Sequence, residues 1–272
     1  DSVKNFEISE KSNNDVRIYY NFKNYWEFYT TIKPQSIDNI YLEPEIKDNL
    51  VKFIDNFIDE KDRYIRFGRL HKTNILLYGI PGSGKTCLCK AIAKKYKRDI
   101  YMFNFSKSLT DEVFIQLMKE IPKQSIILLE DIDSFFEKRD SLNINISFSC
   151  LINILDGTMS SGNGSIMFIT ANNPQNIDSA LLRPGRIDKI IKFDYPNKKI
   201  INLAFNELVD SKLLDKFDDF YQHIHLLQLN MSSIIDYLFR NTKTFIKNIN
   251  ELIEQNDLRK DIDNKKSFNL YN

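Results

Sequence analysis

The chain has 272 residues, of which 42% are hydrophobic and 28% are charged, a composition typical of a soluble globular protein with one large domain or one large and one small domain. The formal net charge of +1 gives no global electrostatic reason to expect nucleic acid or an anionic membrane as a partner. Three cysteines are too few for a disulfide framework and favour a reducing compartment. No apolar run approaches the roughly 18 residues of a membrane span, so any membrane contact is expected through a segment outside this chain.

The first part of the chain is predicted to lead into a larger domain. Residues 1–15 are polar, and Val16 to Phe22 has the β-propensity of a strand. The aromatic cluster that follows is more typical of a packing surface than of a base-stacking one; it contains Trp26, Phe28 and Tyr29. An amphipathic helix is predicted from about Glu45. We therefore expect a lead-in over 1–40, with a domain beginning at 41.

A phosphate-binding loop is predicted where the apolar run Ile75 to Tyr78 breaks into a glycine-rich turn and a helical pattern begins at Lys85. The spacing is G-x-x-x-x-G-K-[ST], in the strand–turn–helix context that the motif requires. Glycines let backbone N–H groups curl around phosphate oxygens, Lys85 can reach the β- and γ-phosphates, and Thr86 can ligate Mg²⁺. The predicted ATP-binding residues are Gly79, Ile80, Pro81, Gly82, Ser83, Gly84, Lys85 and Thr86.

Two acids follow a continuous apolar run, Ile126 to Leu129, that is typical of a central parallel strand. Glu130 and Asp131 are thereby delivered to the edge where open α/β sheets place ligands. One acid can hold Mg²⁺ and another can polarise the attacking water, although a solvated acid pair is the alternative. Adjacent strand residues point to opposite faces, so we expect separate roles. Asp133 either belongs to the site or caps the next helix.

Further candidates follow a third buried strand, Ser165 to Thr170. Asn172 can orient the water or touch the γ-phosphate, although an Asn after a strand is often a turn residue. Arg183 and Arg186 flank a Pro-Gly turn, where an arginine supplied from outside a site can stabilise the transferring phosphoryl group. Surface arginines are otherwise ordinarily solvated.

The alternation of strands and helices predicts an α/β fold, a P-loop NTPase with a parallel five-stranded sheet flanked by helices. The predicted core spans 41–196. Residues 197–272 are predicted to form a small helical lid. We expect its Asn/Lys/Asp-rich end to fray.

These motifs, in this order, resemble the AAA ATPases of the AAA+ superfamily. Walker A is Gly79 to Thr86, Walker B is Ile126 to Asp131, and Thr170 to Asn172 with Asp178 to Asp188 resembles the second region of homology. More narrowly, the Glu130-Asp131 order and the segment Leu151 to Gly157 are similar to the subfamily of the mitochondrial inner-membrane chaperone that inserts the Rieske iron–sulfur subunit of respiratory complex III, with its plant and viral relatives.

The resemblance implies a role for each matching residue. Lys85 contacts phosphates, and Thr86 and Glu130 lie on the metal side. Asp131 is the catalytic carboxylate and Asn172 is sensor 1. Arg186 is the arginine finger that reaches a neighbour's ATP. Where many AAA proteins have a second arginine this chain has Lys189, whose ammonium cannot form the planar fork of a guanidinium.

The resemblance further implies a ring of six or seven identical subunits that couples ATP turnover to remodelling or translocation of a protein client. The aromatic–apolar–Gly pore loop of AAA unfoldases is missing between Asn104 and Thr110, which favours moving a folded client over threading an unfolded one. A clamp loader or helicase and a non-hydrolysing assembly module remain alternatives. The first would need a basic stripe, and none stands out beyond the short cluster Arg63 to Lys72. We expect an intracellular location, cytoplasmic for this chain alone, or the mitochondrial inner membrane if an anchor precedes it.

Overall fold

The computed structural model describes residues 14–106, 108–137, 145–157 and 163–268. The chain divides into two compact units. The first consists of Asp1–Ile40, Pro44–Gly79 and Lys85–Lys192, and the second of Tyr41–Glu43, Ile80–Gly84 and Phe193–Asn272. The division into a lead-in, a core and a lid stays a prediction.

The architecture is α/β, with one seven-stranded sheet in the order β2-β1-β4-β5-β6-β3-β7. The strands are β1 (Val16–Phe22), β2 (Tyr25–Ile32), β3 (His71–Gly79), β4 (Ile100–Phe103), β5 (Ile126–Leu129), β6 (Asn163–Ala171) and β7 (Lys189–Phe193). The pairs β1–β4, β4–β5, β5–β6 and β3–β6 are parallel, and only the pair β1–β2 is antiparallel among the described pairings. The predicted fold class is confirmed, but the predicted count of five strands was wrong.

The two additional strands form a hairpin within the predicted lead-in. Val16 and Ile18 are buried, and Ile18 pairs with Ile100 of β4, so β1 extends the parallel sheet. A two-residue turn at Lys23 and Asn24 then reverses the chain, with φ of 54° at Lys23, and β2 runs back along β1. The buried residues Val16 and Ile18 alternate along β1, as expected for a strand that has one face on the core.

Helices cover the sheet and form the second unit. Those of the first unit are α1 (Pro44–Asp59), α2 (Lys61–Arg66), α3 (Lys85–Lys95), α4 (Asp111–Glu120), α5 (Ile132–Glu137) and α6 (Phe148–Asp156). Those of the second are α7 (Lys198–Leu208), α8 (Phe217–Ile224), α9 (Met231–Arg240) and α10 (Ile249–Phe268). The helix α10 extends to Phe268, and the expectation of a frayed end stays a prediction.

Short signals in the sequence define several helix ends. The Thr110 and Ser147 hydroxyls accept N–H groups of the first turns of α4 and α6, and Gly157 ends α6 with φ of 89°. A 3₁₀ turn, Ser179–Leu182, has Asp178 as its N-cap. Local capping chemistry therefore fixes where α4 and α6 begin.

Each unit has its own hydrophobic core. In the first, apolar residues of β4, β5 and β6 pack against α4 and α6. In the second, residues of α7 to α10 surround the fully buried rings of Phe205, Phe220 and Phe245. Among the described helices, none is long and apolar enough to cross a membrane.

Candidate active site

The glycine-rich loop between β3 and α3 has a backbone that only glycine adopts easily. Gly79, Gly82 and Gly84 have φ of 132°, 70° and 100°, in the left-handed region. A Cβ on Gly82 would lie 2.8 Å from Nδ2 of Asn230, while a Cβ on Gly84 would meet nothing within 4 Å. Gly84 thus lines open space beside backbone of the kind that anion-binding turns use. This loop fits a phosphate group.

Within the loop, other contacts hold the backbone in place. The Ser83 hydroxyl donates to the carbonyl of Ile80 at 2.7 Å. In the second unit, the backbone N–H of Ser232 in α9 donates to the carbonyl of Gly82 at 2.9 Å. The loop conformation is therefore stabilised by these hydrogen bonds as well as by the backbone freedom of its glycines.

Lys85 begins α3 as a buried cation. Its side chain is 6% exposed, and its Nζ donates to the Gly79 carbonyl at 2.8 Å. Burial lowers the pKa of Lys85, and the nearby carboxylates of Asp131 and Asp133 oppose that shift. A buried ammonium beside a left-handed glycine turn is suited to receiving phosphate oxygens.

Thr86 and Glu130, the predicted Mg²⁺ ligands, are bonded to each other. The Thr86 hydroxyl donates to Oε1 of Glu130 at 2.5 Å. Mg²⁺ prefers oxygen ligands and is commonly bound through one or two protein groups together with substrate phosphates. The pair therefore fits Mg²⁺, although the described residues include no cluster of three or more His, Cys, Asp or Glu placed to hold a metal.

Asp131 has different partners from Glu130. β5 ends at Leu129, so both acids lie beyond the strand and the alternation of strand side chains does not apply to them. Asp131 has φ of 48°, its N–H donates to the Thr170 hydroxyl at 3.0 Å, and its Oδ1 accepts from Nδ2 of Asn172 at 2.9 Å. A non-glycine residue with positive φ marks local strain, and such strain often occurs at functional sites.

Asp133 connects the end of β5 to the end of β6. It lies in the first turn of α5, not at the N-cap position, and is 4% exposed. Its Oδ2 accepts the N–H groups of Asn172 at 3.1 Å and Asn173 at 2.8 Å. Asp133 therefore fixes the backbone that carries Asn172, a role that sequence reasoning did not identify.

The Arg186 side chain is bonded to Asp156 of the same chain, the last residue of α6. Nε and Nη2 donate to the two carboxylate oxygens at 2.8 and 3.0 Å, and Nη1 donates to the Ala180 carbonyl at 2.7 Å. The hydrogen bond to Asp156 raises the pKa of Arg186. Arg183 is exposed, and the ammonium of Lys189 lies 5.8 Å from the ring centroid of Phe53.

The structure brings together the predicted residues of the first unit in two pairs, Thr86 with Glu130 and Asp131 with Asn172. Arg186 is instead paired with Asp156, which the sequence reasoning did not single out. A signal was present, since an acid in the last turn of a helix opposes the helix dipole and calls for a cationic partner.

Comparison with known proteins gives the same family. Residues 75–195 match the model of the AAA family, described as the ATPase family associated with various cellular activities. An Arabidopsis thaliana AAA-ATPase is 32% identical over 89% of this chain and 56% of its own length. The Dictyostelium discoideum protein named probable mitochondrial chaperone BCS1-A is 33% identical over 80% of this chain and 54% of its own. The Bos taurus mitochondrial chaperone BCS1 is 35% identical over 56% of this chain and 38% of its own.

Proposed function

Because this chain belongs to the AAA family of ATPases, we propose that it hydrolyses ATP with Mg²⁺ in a ring of six or seven identical subunits and uses the turnover to remodel or translocate a protein client. The chain spans about half of the length of these two relatives, the Arabidopsis thaliana and Dictyostelium discoideum proteins, so the activity of the whole protein is part of this proposal. The observation that carries it is the separation of the two acids, Glu130 against Thr86 and Asp131 against Asn172.

Each residue has a role that follows from its partners. The Gly79 to Gly84 loop and the Lys85 ammonium bind the phosphates, and Thr86 with Glu130 holds the metal. Mg²⁺ supplies positive charge that stabilises the phosphoryl oxygens. Asp131 accepts a hydrogen bond from the Asn172 amide, which holds the carboxylate where it can polarise a water.

The ring is proposed because Arg186 acts in trans. In this chain its guanidinium is held by Asp156 and by the Ala180 carbonyl, and these bonds fix the position of the side chain on its own subunit. An arginine finger stabilises charge on the transferring phosphoryl group and contributes about 10³- to 10⁵-fold to kcat. A monomer would then lack a complete site.

A protein client is proposed from the relatives, several of which are named chaperones. The missing aromatic–apolar–Gly pore loop favours a folded client. We propose an intracellular location, at the mitochondrial inner membrane if the whole protein carries an anchor and in the cytoplasm otherwise.

The test is ATP hydrolysis measured against protein concentration, with particle mass recorded in parallel with and without ATP. We expect specific activity to rise with concentration as large particles form, because each site needs a neighbour's Arg186. The Lys85→Ala variant, which should lose nucleotide binding, is the control for contaminating ATPase. A constant specific activity in a monomer would contradict the ring mechanism.

A further inference from the structure

Asn74 is a polar residue inside a buried strand. It lies in β3 and is 1% exposed, next to the fully buried Ile75. Its side-chain Nδ2 donates to two backbone carbonyls, that of Leu155 at 3.0 Å and that of Arg186 at 2.6 Å. Both hydrogens of one buried amide are thereby used on two segments far apart in sequence.

Those two segments carry the two partners of one ion pair. Leu155 immediately precedes Asp156, and the second carbonyl belongs to Arg186 itself. Asp156 and Arg186 are joined through two hydrogen bonds of 2.8 and 3.0 Å. The Asn74 side chain therefore fixes the backbone on both sides of the pair that holds the proposed finger.

Asn74 is itself held in place by Asp188. The Asn74 N–H donates to Oδ2 of Asp188 at 2.9 Å, and the Asp188 N–H donates to the Asn74 carbonyl at 2.9 Å. Lys72 donates a further bond from Nζ to the Leu155 carbonyl. The start of β3 is thus bonded to the end of α6 and to the segment that precedes β7.

We infer that Asn74 is a positioning residue for Arg186: its amide sets the place from which the guanidinium is presented to a neighbouring subunit. This inference rests on the proposed function, because it requires that Arg186 act in trans. A displacement of about 1 Å at a positioning group can cost about 10²-fold in rate. Removing the amide takes its donor from the Arg186 carbonyl, while the Leu155 carbonyl keeps the bond from Lys72. The backbone at Arg186 is then free to shift.

The competing explanation is that Asn74 only stabilises the fold. Asn21 provides the matched control, because it is a buried asparagine of the same unit that is 6% exposed. Its Nδ2 donates to the carbonyl of Asn104 at 3.2 Å, and its Oδ1 accepts the N–H of the same residue at 2.6 Å. Asn21→Ala also removes a buried amide with two hydrogen bonds, but from β1, where no finger residue is bound.

The experiment compares Asn74→Ala with Asn21→Ala in kcat, nucleotide affinity and thermal midpoint. We expect kcat of Asn74→Ala to fall about 10²-fold, with nucleotide affinity unchanged within about twofold. We expect kcat of Asn21→Ala to stay within about twofold of wild type at a similar loss of thermal stability. If Asn74→Ala does not fold, Asn74→Ser is used, since its hydroxyl retains one donor.

Mixed oligomers supply the decisive readout. A subunit with Asn74→Ala keeps its own nucleotide site, whereas a subunit with Asp131→Asn lacks a working site but keeps its finger. Mixing the two should restore hydrolysis at the nucleotide site of an Asn74→Ala subunit when its neighbour is an Asp131→Asn subunit that supplies an intact Arg186. A mixture of Arg186→Ala with Asp131→Asn should recover hydrolysis in the same way.

The outcomes separate the two claims. If the Arg186→Ala mixture stays inactive, the trans finger of the proposed function fails, and the role of Asn74 fails with it. If that mixture recovers but Asn74→Ala either keeps full activity alone or gains nothing on mixing, only the positioning role is overturned. Equal losses of kcat in Asn74→Ala and Asn21→Ala would also overturn it.

Discussion

At the scale of single residues, the two acids that follow β5 differ in what they contact. Glu130 accepts from the Thr86 hydroxyl, and Asp131 accepts from the Asn172 amide. The positive φ of Asp131 turns the chain between the two, so each carboxylate has its own partner. Two adjacent acids can therefore serve two chemical roles without competing for one position.

This difference predicts different phenotypes for two conservative substitutions. Asp131→Asn should bind ATP and retain it, with hydrolysis reduced by about 10²- to 10⁴-fold, because the amide cannot accept a proton. Glu130→Gln should instead make ATP affinity less dependent on Mg²⁺, because the substitution removes the negative charge of the proposed metal ligand. Retention of labelled ATP and kcat are measured across a Mg²⁺ titration.

Each acid variant is the control for the other. If Glu130→Gln alone traps ATP while Asp131→Asn still hydrolyses it, the two roles are reversed. If both variants hydrolyse ATP at the wild-type rate, the site as proposed is wrong.

At the scale of secondary-structure elements, the β1–β2 hairpin is anchored on the covering helix α4 by Trp26, the only tryptophan of the chain. Its Nε1 donates to the carbonyl of Leu117 in α4 at 3.0 Å, and its ring lies edge-on to those of Tyr101 and Phe103. Of the predicted aromatic cluster, Trp26 packs against the core, whereas Phe28 and Tyr29 are 46% and 63% exposed.

Trp26→Phe tests how firmly the hairpin is held. The phenyl ring keeps apolar contact but cannot donate to Leu117, so we expect the free energy of unfolding to fall by about 1 kcal/mol. Urea unfolding followed by circular dichroism measures it. Tyr29→Phe, at an exposed position of β2, should change the same quantity by less than about 0.5 kcal/mol. Equal effects of the two substitutions would show that Trp26 does not anchor the hairpin.

Sequence patterns predicted the elements whose signals are local. The Walker A strand and helix and the strand Val16–Phe22 follow from spacing or β-propensity within a few residues. The hairpin partner β2 was not predicted, because its residues alternate only weakly in burial at the edge of the sheet.

Contacts between distant segments could not be predicted in the same way. Asn74 bonds to residues 81 and 112 positions away, and Asp133 bonds to residues 39 and 40 positions away. A polar residue in a buried strand signals that a partner exists, but only the fold shows which one. The pairing of Arg186 with Asp156 was missed for the same reason, since 30 residues separate them.

At the scale of the whole molecule, charge bears on the rival nucleic-acid function. The segment Arg63 to Lys72 is the basic cluster that the sequence analysis considered for that function. Its two last members point inward, with His71 Nε2 2.7 Å from the Phe57 carbonyl and Lys72 bonded to the Leu155 carbonyl. Three exposed arginines remain: Arg63, Arg66 and Arg69. Arg63 is paired with Glu60, and Arg66 lies over the ring of Phe67.

Three exposed arginines in this segment and a net charge of +1 offer little positive charge to a nucleic-acid backbone. We therefore expect no saturable binding of duplex DNA at micromolar protein and physiological salt, measured by fluorescence anisotropy. Any weak binding at low salt should weaken as salt is added, and a plot of log binding constant against log salt concentration should have a slope no steeper than about −3. Three arginines make at most three phosphate contacts, and each contributes about −0.9 to the slope. Replacing the three arginines by serine should abolish this binding, while ATP hydrolysis at high protein concentration continues. A steeper slope, or binding that survives the substitutions, would favour the nucleic-acid function over a protein client.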